Sequence, residues 1–337
     1  MMKIIQRHNH PLYSIRKTWN PVLFQGTKKK SRYFEGWYFK LVSEGGKHIW
    51  SVIPGVSITG DNNRHAFIQL INGKTAETWY VKYPLGDFRF SQKEFLVETG
   101  RSRFSYEGLD LNIDDPASGL KVYGTIGFRN IRPLESTLLN PGIMGWYSFV
   151  PFMECYHGLV SMDHDLSGNL IINGEKISMK DGKGYAEKDW GRSMPSAWIW
   201  MQSNHFEKEG VSLMLSIAKI PWLRSSFTGF LCVLLLNGKI HRFATYTGAV
   251  IEHIELTGDN LSTSITNNEY RLQITASHAS RGMLAAPLNG AMDRRIAESV
   301  DAHIELKVTH NAGEIIFAGT GVHAGLELVG DMDELPV

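Results

Sequence analysis

Residues 229–245 read GFLCVLLLNGKIHRFAT, and this stretch predicts a β-hairpin. An apolar run ends at Asn237-Gly238, and a second run follows directly. Asn and Gly both tolerate positive φ, so this pair between two apolar runs is a strong short-range hairpin signal. Two more Asn-Gly pairs separate apolar runs, at Asn72-Gly73 and Asn173-Gly174.

Outside this hairpin, apolar residues recur mostly at every second position, which is typical of strands with one buried face. The predicted strands are 34–42, 48–53, 66–71, 75–81, 94–99, 108–113, 120–128, 169–172, 197–206, 211–218, 229–236, 239–245, 249–257, 262–265, 270–276, 302–308 and 313–324. No long amphipathic helix is visible, and short helices are expected at 133–139 and 293–300. So many short strands predict an all-β protein with two closed or nearly closed antiparallel barrels, because closure removes exposed edges.

Two breaks rich in Gly and Pro interrupt the strand pattern, at 140–152 and 191–196. We place the domain boundary at the second break. Residues 1–192 are then the N-terminal barrel and residues 193–337 the C-terminal barrel. A chain of 337 residues is long enough for two domains that each bury a core.

Composition excludes several classes of protein. A net charge of +1 excludes a strongly basic protein that binds nucleic acid by neutralising phosphates. Two cysteines, Cys155 and Cys232, cannot form a disulfide framework or a four-cysteine zinc site. The 13 histidines are scattered and no Gly-rich loop precedes a helix, so neither a metal site nor a nucleotide cofactor is expected.

Location is predicted from the apolar runs. The longest run, 230–236, is far shorter than the roughly 20 residues of a membrane-spanning helix. Residues 1–13 are polar and lack the apolar stretch of a secretory signal. A cytoplasmic protein is therefore expected.

The stretch 197–206 reads AWIWMQSNHF and mixes tryptophans with amides. In a strand, alternation places Trp198, Trp200, Gln202 and Asn204 on one face. Residues 197, 199, 201 and 203 form the other face, which is suited to a core. A packed core avoids amides, whereas a ligand cavity combines apolar walls with a few orienting polar groups. The alternative is a half-solvated face with the tryptophans at a domain seam.

Just before this stretch, Tyr185, Glu187 and Asp189 share one face if the backbone is extended. Two adjacent carboxylates raise each other's pKa, and burial raises it further. Such a carboxyl group stays protonated near neutral pH and acts as a general acid. The alternative is a surface charge cluster, with Lys188 and Arg192 as partners.

Two further segments carry candidate groups. Glu35 and Trp37 share a strand face in 33–40, where a carboxylate beside aromatics is either functional or a buried ion-pair partner. His157, in the segment 154–158, is a candidate proton donor or acceptor, although a lone histidine is more often structural. A nucleophilic Cys155 is not expected, because such a site needs a dedicated base geometry.

Three blocks together resemble the tocopherol cyclase family: YFEGWYFK at 33–40, YAEKDWGR at 185–192 and WIWMQSNHF at 198–206. The family is similar, more remotely, to lipocalin-like carotenoid hydratases and pericyclases. The resemblance implies two lipocalin-like antiparallel β-barrels packed together, with few short helices. It also implies a site in or between the barrels for a hydrophobic, prenylated substrate.

The chemistry that the resemblance implies needs no cofactor and no metal. A proton adds to an olefin of a prenylated hydroquinone, and the phenolic oxygen captures the resulting carbocation. The expected catalytic residues are Asp189, Glu187, Glu35 and His157. The expected substrate-binding residues are Trp37, Tyr185, Trp190, Arg192, Trp198, Trp200, Gln202 and Asn204, with tryptophan faces stabilising the cation.

Alternatives stay open at this point. The same fold could host a hydratase or another isomerase, because a fold hosts many functions. A non-catalytic carrier of a lipid or isoprenoid needs only the apolar wall and no proton donor. The expected partner is a hydrophobic small molecule, with transient contact to a membrane surface and none to nucleic acid.

Overall fold

The computed structural model describes residues 11–60, 63–151, 153–222 and 225–337. Within these ranges the α-helical structure is confined to α1, Pro11–Arg16, and none of the helices is long and apolar enough to cross a membrane. Short 3-10 turns cover Glu44–Gly46, Leu85–Asp87, Gly145–Phe149, Thr245–Thr247 and Met332–Glu334. Nearly all remaining regular structure is β-strand.

The first sheet has twelve antiparallel strands. They are β1 Tyr33–Val42, β2 Ile49–Ile58, β3 His65–Asn72, β4 Thr78–Pro84, β5 Phe88–Phe90, β6 Leu96–Thr99, β7 Ser102–Ser105, β8 Gly108–Asp115, β9 Leu120–Arg129, β10 Cys155–Ile172, β11 Glu175–Ser178 and β12 Lys183–Gly191. Their order is β4-β3-β2-β1-β12-β10-β9-β8-β7-β6-β5, and β11 pairs with β10.

The second sheet has ten antiparallel strands. They are β13 Trp198–Ser203, β14 Ser212–Trp222, β15 Ser225–Leu236, β16 Lys239–Ala244, β17 Val250–Thr257, β18 Asn260–Thr266, β19 Tyr270–Ser277, β20 Gly282–Leu288, β21 Ala291–His310 and β22 Ile315–Val329. Their order is β16-β15-β14-β13-β22-β21-β19-β18-β17, and β20 pairs with β21.

The hairpin predicted at 229–245 is confirmed. Leu236 pairs with Lys239, so Asn237-Gly238 forms a two-residue turn between β15 and β16. Both turn residues have positive φ, +53° and +75°, as the favoured hairpin turn requires. The sequence choice at this turn therefore sets the register of the hairpin.

Each sheet curls around its own core. In the first sheet, Trp37 on β1 stacks on Phe88 of β5, although these strands are far apart in the sheet order. In the second, one apolar cluster includes both Leu234 of β15 and Ile265 of β18. This curling of two antiparallel sheets confirms the all-β, lipocalin-like fold class.

The described residues divide into two compact units. The first contains those within 11–72, Glu77–Met194 and Leu284–Arg295, and the second those within Gly73–Ala76, Pro195–Met283 and Ile296–Val337. The units interleave along the chain, so a division into domains 1–192 and 193–337 stays a prediction.

Both predicted short helices are wrong. Residues 133–139 have irregular structure, and residues 293–300 lie inside β21. A helix of seven or eight residues has marginal stability by itself. In β21 the backbone hydrogen bonds are made by strand pairing, for example of Glu298 with Glu327, and not within a helix. The helix that does form, α1, was not predicted.

Candidate functional site

The strands β1, β12 and β10 are neighbours in the first sheet and carry two polar clusters on opposite faces. Alternation along β12 places Glu187 and Asp189 on one face and Lys188 and Trp190 on the other. Asp189 lies opposite His157 of β10, a strand that the sequence prediction began only at residue 169. The face containing Lys188 points toward the core.

The Lys188 cluster, which we define as Glu35, Trp37, Lys188 and Trp190, is buried in the core. Both charged side chains have no exposed surface, and Lys188 Nζ lies 2.5 Å from Glu35 Oε1. Lys188 Nζ also donates to the carbonyls of Pro21 and Leu23, at 2.8 and 2.7 Å. Burial lowers the pKa of Lys188 to about 8, although the charge of Glu35 opposes this shift.

Glu35 is fully engaged in this cluster. Its carboxylate accepts backbone N–H groups of Gln25 at 2.8 and 3.0 Å and of Gly26 at 3.0 Å, and it accepts the Tyr33 hydroxyl. Trp37 Nε1 donates to the Val22 carbonyl at 2.9 Å. The Lys188 cluster thus binds the segment 21–26 to the sheet, which is a structural role for Glu35.

The faces of two predicted cation-stabilising tryptophans are occupied by the protein's own cation. Lys188 Nζ lies 4.6 Å from the Trp37 ring centroid and 4.9 Å from that of Trp190. Both distances are within the range of cation–π attraction. Tyr156 stacks parallel to Trp190 at 5.6 Å. Both rings thus contact Lys188, and their role toward a substrate cation stays a prediction.

The His157 cluster, defined as His157, Tyr185, Glu187 and Asp189, lies on the other face. His157 Nδ1 is 2.7 Å from Asp189 Oδ1, and His157 Nε2 is 3.4 Å from Glu187 Oε2. The shorter contact is a hydrogen bond, and the longer one is an ion-pair contact without hydrogen-bond geometry. Tyr185 donates its hydroxyl proton to Glu187 Oε2 at 2.5 Å.

The electrostatics of this cluster favour a charged histidine. Burial by itself lowers the pKa of His157, but the negative charges of Glu187 and Asp189 outweigh it and raise that pKa to about 10. Burial and the charge of Glu187 raise the pKa of Tyr185 well above its usual value. The pKa of the neighbouring Cys155 thiol is also raised, first by burial, so it remains a thiol. At neutral pH the cluster therefore holds its proton on the imidazole.

His157, Glu187 and Asp189 also form the one group, among the residues described, that could ligate a metal ion. One nitrogen of His157 and one oxygen each of Glu187 and Asp189 lie within 4.8 Å of one another. A ligating histidine must be neutral, whereas the raised pKa of His157 favours the imidazolium. A proton and a metal ion thus compete for this histidine near neutral pH.

The other predicted site residues lie elsewhere. Trp198, Trp200 and Gln202 are buried on β13 in the second unit, opposite the core face formed by residues 197, 199 and 201. Trp198 Nε1 donates to Glu327 Oε2 at 2.5 Å, and Gln202 Nε2 donates to Asn204 Oδ1 at 3.3 Å. Arg192, in the first unit, is half-exposed and pairs with Glu154 at 3.0 Å.

Both units contain cavities, and the first unit has one of about 170 Å³ beside His65 and Tyr80. The interior of the first, beside Phe39 and His164, has a cavity of about 10 Å³, the lower limit for one water molecule. The second has a cavity of about 370 Å³ with apolar walls that include Leu234, Leu236 and Ile316. That volume lies in the range of small-molecule pockets.

By fold and site, the chain is an all-β protein of two curled antiparallel sheets, and the first sheet carries the His157 cluster. Residues 133–330, more than half of the chain, match the tocopherol cyclase-like family. The chain belongs to this family. The match includes the whole His157 cluster and excludes Glu35.

Individual relatives agree with the family. A probable chloroplastic tocopherol cyclase of Oryza sativa subsp. japonica is 24% identical over 202 residues, which cover 55% of this chain and 42% of that protein. A chloroplastic tocopherol cyclase of Zea mays is 29% identical over 200 residues, which cover 55% of this chain and 41% of that protein. The match therefore spans about two fifths of the length of these relatives.

The fold is also found in a solved structure. The crystal structure of CghA with Sch210972 has a TM-score of 0.54 to this chain and is 10% identical. The similarity covers 88% of this chain and 89% of CghA. At this identity, the likeness concerns the fold alone.

Proposed function

We propose that the protein is a tocopherol cyclase-like enzyme that closes a ring on a prenylated hydroquinone or a related isoprenoid without a cofactor. Membership of the family and the names of the rice and maize relatives support this reaction class. The observation that carries the proposal is the position of His157 between Asp189 and Glu187. A cytoplasmic location stays a prediction.

The reaction has a simple proton balance. One proton adds to the olefin carbon, the phenolic O–H bond breaks, and a C–O bond forms. The product is an isomer of the substrate, so the enzyme gives one proton and recovers one. A suitable site therefore contains a donor and an acceptor that are connected to each other.

The geometry of the His157 cluster supports one division of roles. An imidazolium whose pKa is about 10 is too weak an acid to protonate an alkene. The donor in this proposal is accordingly the carboxyl group of Asp189, whose side chain is 26% exposed and which first takes the Nδ1 proton of His157 across their 2.7 Å hydrogen bond. His157 contacts both carboxylates, so it returns to Asp189 the proton that Glu187 recovers from the phenol, while Tyr185 holds Glu187 in place.

Asp189→Asn tests the donor. We expect product formation from a prenylated hydroquinone to fall by about 10²–10⁴-fold, because an amide cannot deliver the proton. Asp165→Asn is the matched control, since Asp165 pairs with Lys183 on the same sheet, outside the cluster. Circular dichroism confirms that both variants fold. Full activity of Asp189→Asn would remove this residue from the mechanism.

Product analysis separates the proposal from its alternatives. The product formed in D₂O should carry one deuterium on carbon, and the product formed in H₂O should have the mass of the substrate. A product heavier by one water would instead identify a hydratase. Activity that requires an added metal ion would contradict acid catalysis by the protein alone. It would indicate instead that His157, Glu187 and Asp189 ligate the metal ion.

A carrier role is the second candidate, and the 370 Å³ cavity of the second unit favours it. Its apolar walls include Leu234, Leu236, Val308 and Ile316, and Lys239 offers a cation for a polar head group. Native mass spectrometry of the purified protein distinguishes the two functions. A stoichiometric lipid that is retained without turnover would identify a carrier, and a ring-closed isoprenoid would support the cyclase.

A further inference from the structure

The first unit exposes several large apolar side chains outside the His157 cluster. Two adjacent leucines, Leu138 and Leu139, are 82% and 78% exposed. Exposed apolar residues also occur on α1 and on the 3-10 turn Gly145–Phe149. We define the apolar patch as Leu12, Ile15, Leu138, Leu139, Trp146 and Phe149. Contiguous patches of this kind mark an interaction surface.

Contacts around Trp19 join these segments into one surface. The Trp19 ring lies 5.6 Å from the Phe149 ring, and Trp19 Nε1 donates to the Leu138 carbonyl at 3.1 Å. Trp19 follows the last residue of α1 by three positions, and the Thr18 N–H donates to the Ile15 carbonyl at 3.1 Å, so the end of the helix lies next to Trp19. The patch therefore combines three segments that are distant in sequence.

Basic residues lie beside the patch. Residues 11–34 contain six Lys and Arg and no Asp or Glu, although the whole chain has 35 basic and 34 acidic residues. Lys17 Nζ donates to the Gln25 carbonyl at 2.6 Å and to Thr27 Oγ1 at 3.4 Å, which ties the end of α1 to the residues just before the exposed run 28–30. Burial lowers the pKa of Lys17, the charge of Glu35 opposes this shift, and the nearby charges of Lys28 and Lys29 lower the pKa further. The basic run and the patch thus share one region.

We propose that this surface docks onto an anionic phospholipid bilayer. Leucine and tryptophan side chains of the patch enter the interface, and Arg16 and the lysines 28–30 bind lipid head groups. The surface is also connected to the His157 cluster, because Tyr156, next to His157, donates its hydroxyl proton to the Val150 carbonyl at 2.8 Å. A symmetric dimer through this face would bring two basic rims together, which disfavours a second copy.

A vesicle co-sedimentation assay with the full chain tests the apolar part and needs no turnover. We expect binding to vesicles of phosphatidylcholine with about 30% phosphatidylserine, and at least about tenfold weaker binding for Leu138→Ser/Leu139→Ser. Leu256→Ser/Ile315→Ser, which removes exposed apolar side chains of the second unit, should bind like the wild type. Equal binding by all three proteins, or none, would overturn the proposal.

The basic part is tested with the same vesicles. The triple variant Lys28→Gln/Lys29→Gln/Lys30→Gln should bind about tenfold more weakly, and Lys176→Gln/Lys180→Gln, at exposed positions elsewhere, should not. Binding should weaken as salt increases and on pure phosphatidylcholine. A concentration-dependent dimer that Leu138→Ser/Leu139→Ser abolishes, without any vesicle binding, would assign the surface to a second copy instead.

Discussion

The charge on His157 makes a prediction about stability that is independent of any substrate. Its pKa rises from 6.5 in the unfolded chain to about 10 in the fold, because Glu187 and Asp189 outweigh the effect of burial. At about 1.4 kcal/mol per pH unit, this corresponds to about 5 kcal/mol of stability. The pKa is raised on folding, so this stability is fully present below pH 6.5 and is lost as the pH rises to about 10.

Substitution isolates this contribution. The difference in free energy of unfolding between the wild type and His157→Gln should shrink by about 3 kcal/mol from pH 6 to pH 9. Urea unfolding at each pH, followed by circular dichroism, measures this difference, and subtraction cancels the titrating groups that do not interact with His157. For the control His65→Gln, burial lowers the histidine pKa, so the difference should stay constant from pH 7 to pH 9.

The result that refutes this reasoning is a pH-independent difference for His157→Gln. His157 would then be neutral in the fold and would contribute packing alone. The proton-return step of the proposed mechanism would lose its basis, because a neutral imidazole cannot donate to both carboxylates. A difference that grows with pH would be equally incompatible with the ion pairs described for this cluster.

Three further predictions concern the first sheet. Lys188→Met should lower the free energy of unfolding by about 3–5 kcal/mol in urea titrations, because it leaves Glu35 as an uncompensated buried charge; an effect below 1 kcal/mol would contradict this. Gly184→Ala should cost about 1–3 kcal/mol by thermal unfolding, because its Cβ would lie 2.3 Å from His164 Nε2. Gly36→Ala is the matched control, since its Cβ would meet nothing closer than 3.6 Å, and equal effects would argue against the clash. Burial lowers the pKa of His164 to about 3, so the free energy of unfolding falls as the pH drops from 6.5 towards 3. In an acid titration His164→Gln should therefore unfold at a lower pH than the wild type. An unchanged midpoint would contradict this.

The sequence was most informative where local chemistry decides structure. The pair Asn237-Gly238 specified its turn, and alternation along 197–203 correctly separated the core face from the tryptophan face. It was least informative for β10, because the predicted strand began at Asn169 and omitted the segment that contains His157. Alternating polar and apolar residues from Val160 to Leu170 were the signal that could have revealed this strand.

For the candidate site, the sequence identified residue types and faces but not partners. It placed Tyr185, Glu187 and Asp189 on one face, and that grouping is present in the His157 cluster. It could not decide that His157 lies between the two carboxylates, because β10 and β12 pair by long-range register. Lys188, predicted only as a partner in a surface charge cluster, is the centre of a buried cluster.

The sequence by itself determined an all-β chain with curled antiparallel sheets, because period-two alternation and turn residues act within a few positions. Only the tertiary structure decided what each motif residue does. Glu35 and Trp37 bind Lys188 and the segment 21–26, whereas His157 joins Glu187 and Asp189 on the opposite face. Charge and burial depend on which distant strands meet, so the protonation of a side chain follows from packing that no local pattern specifies.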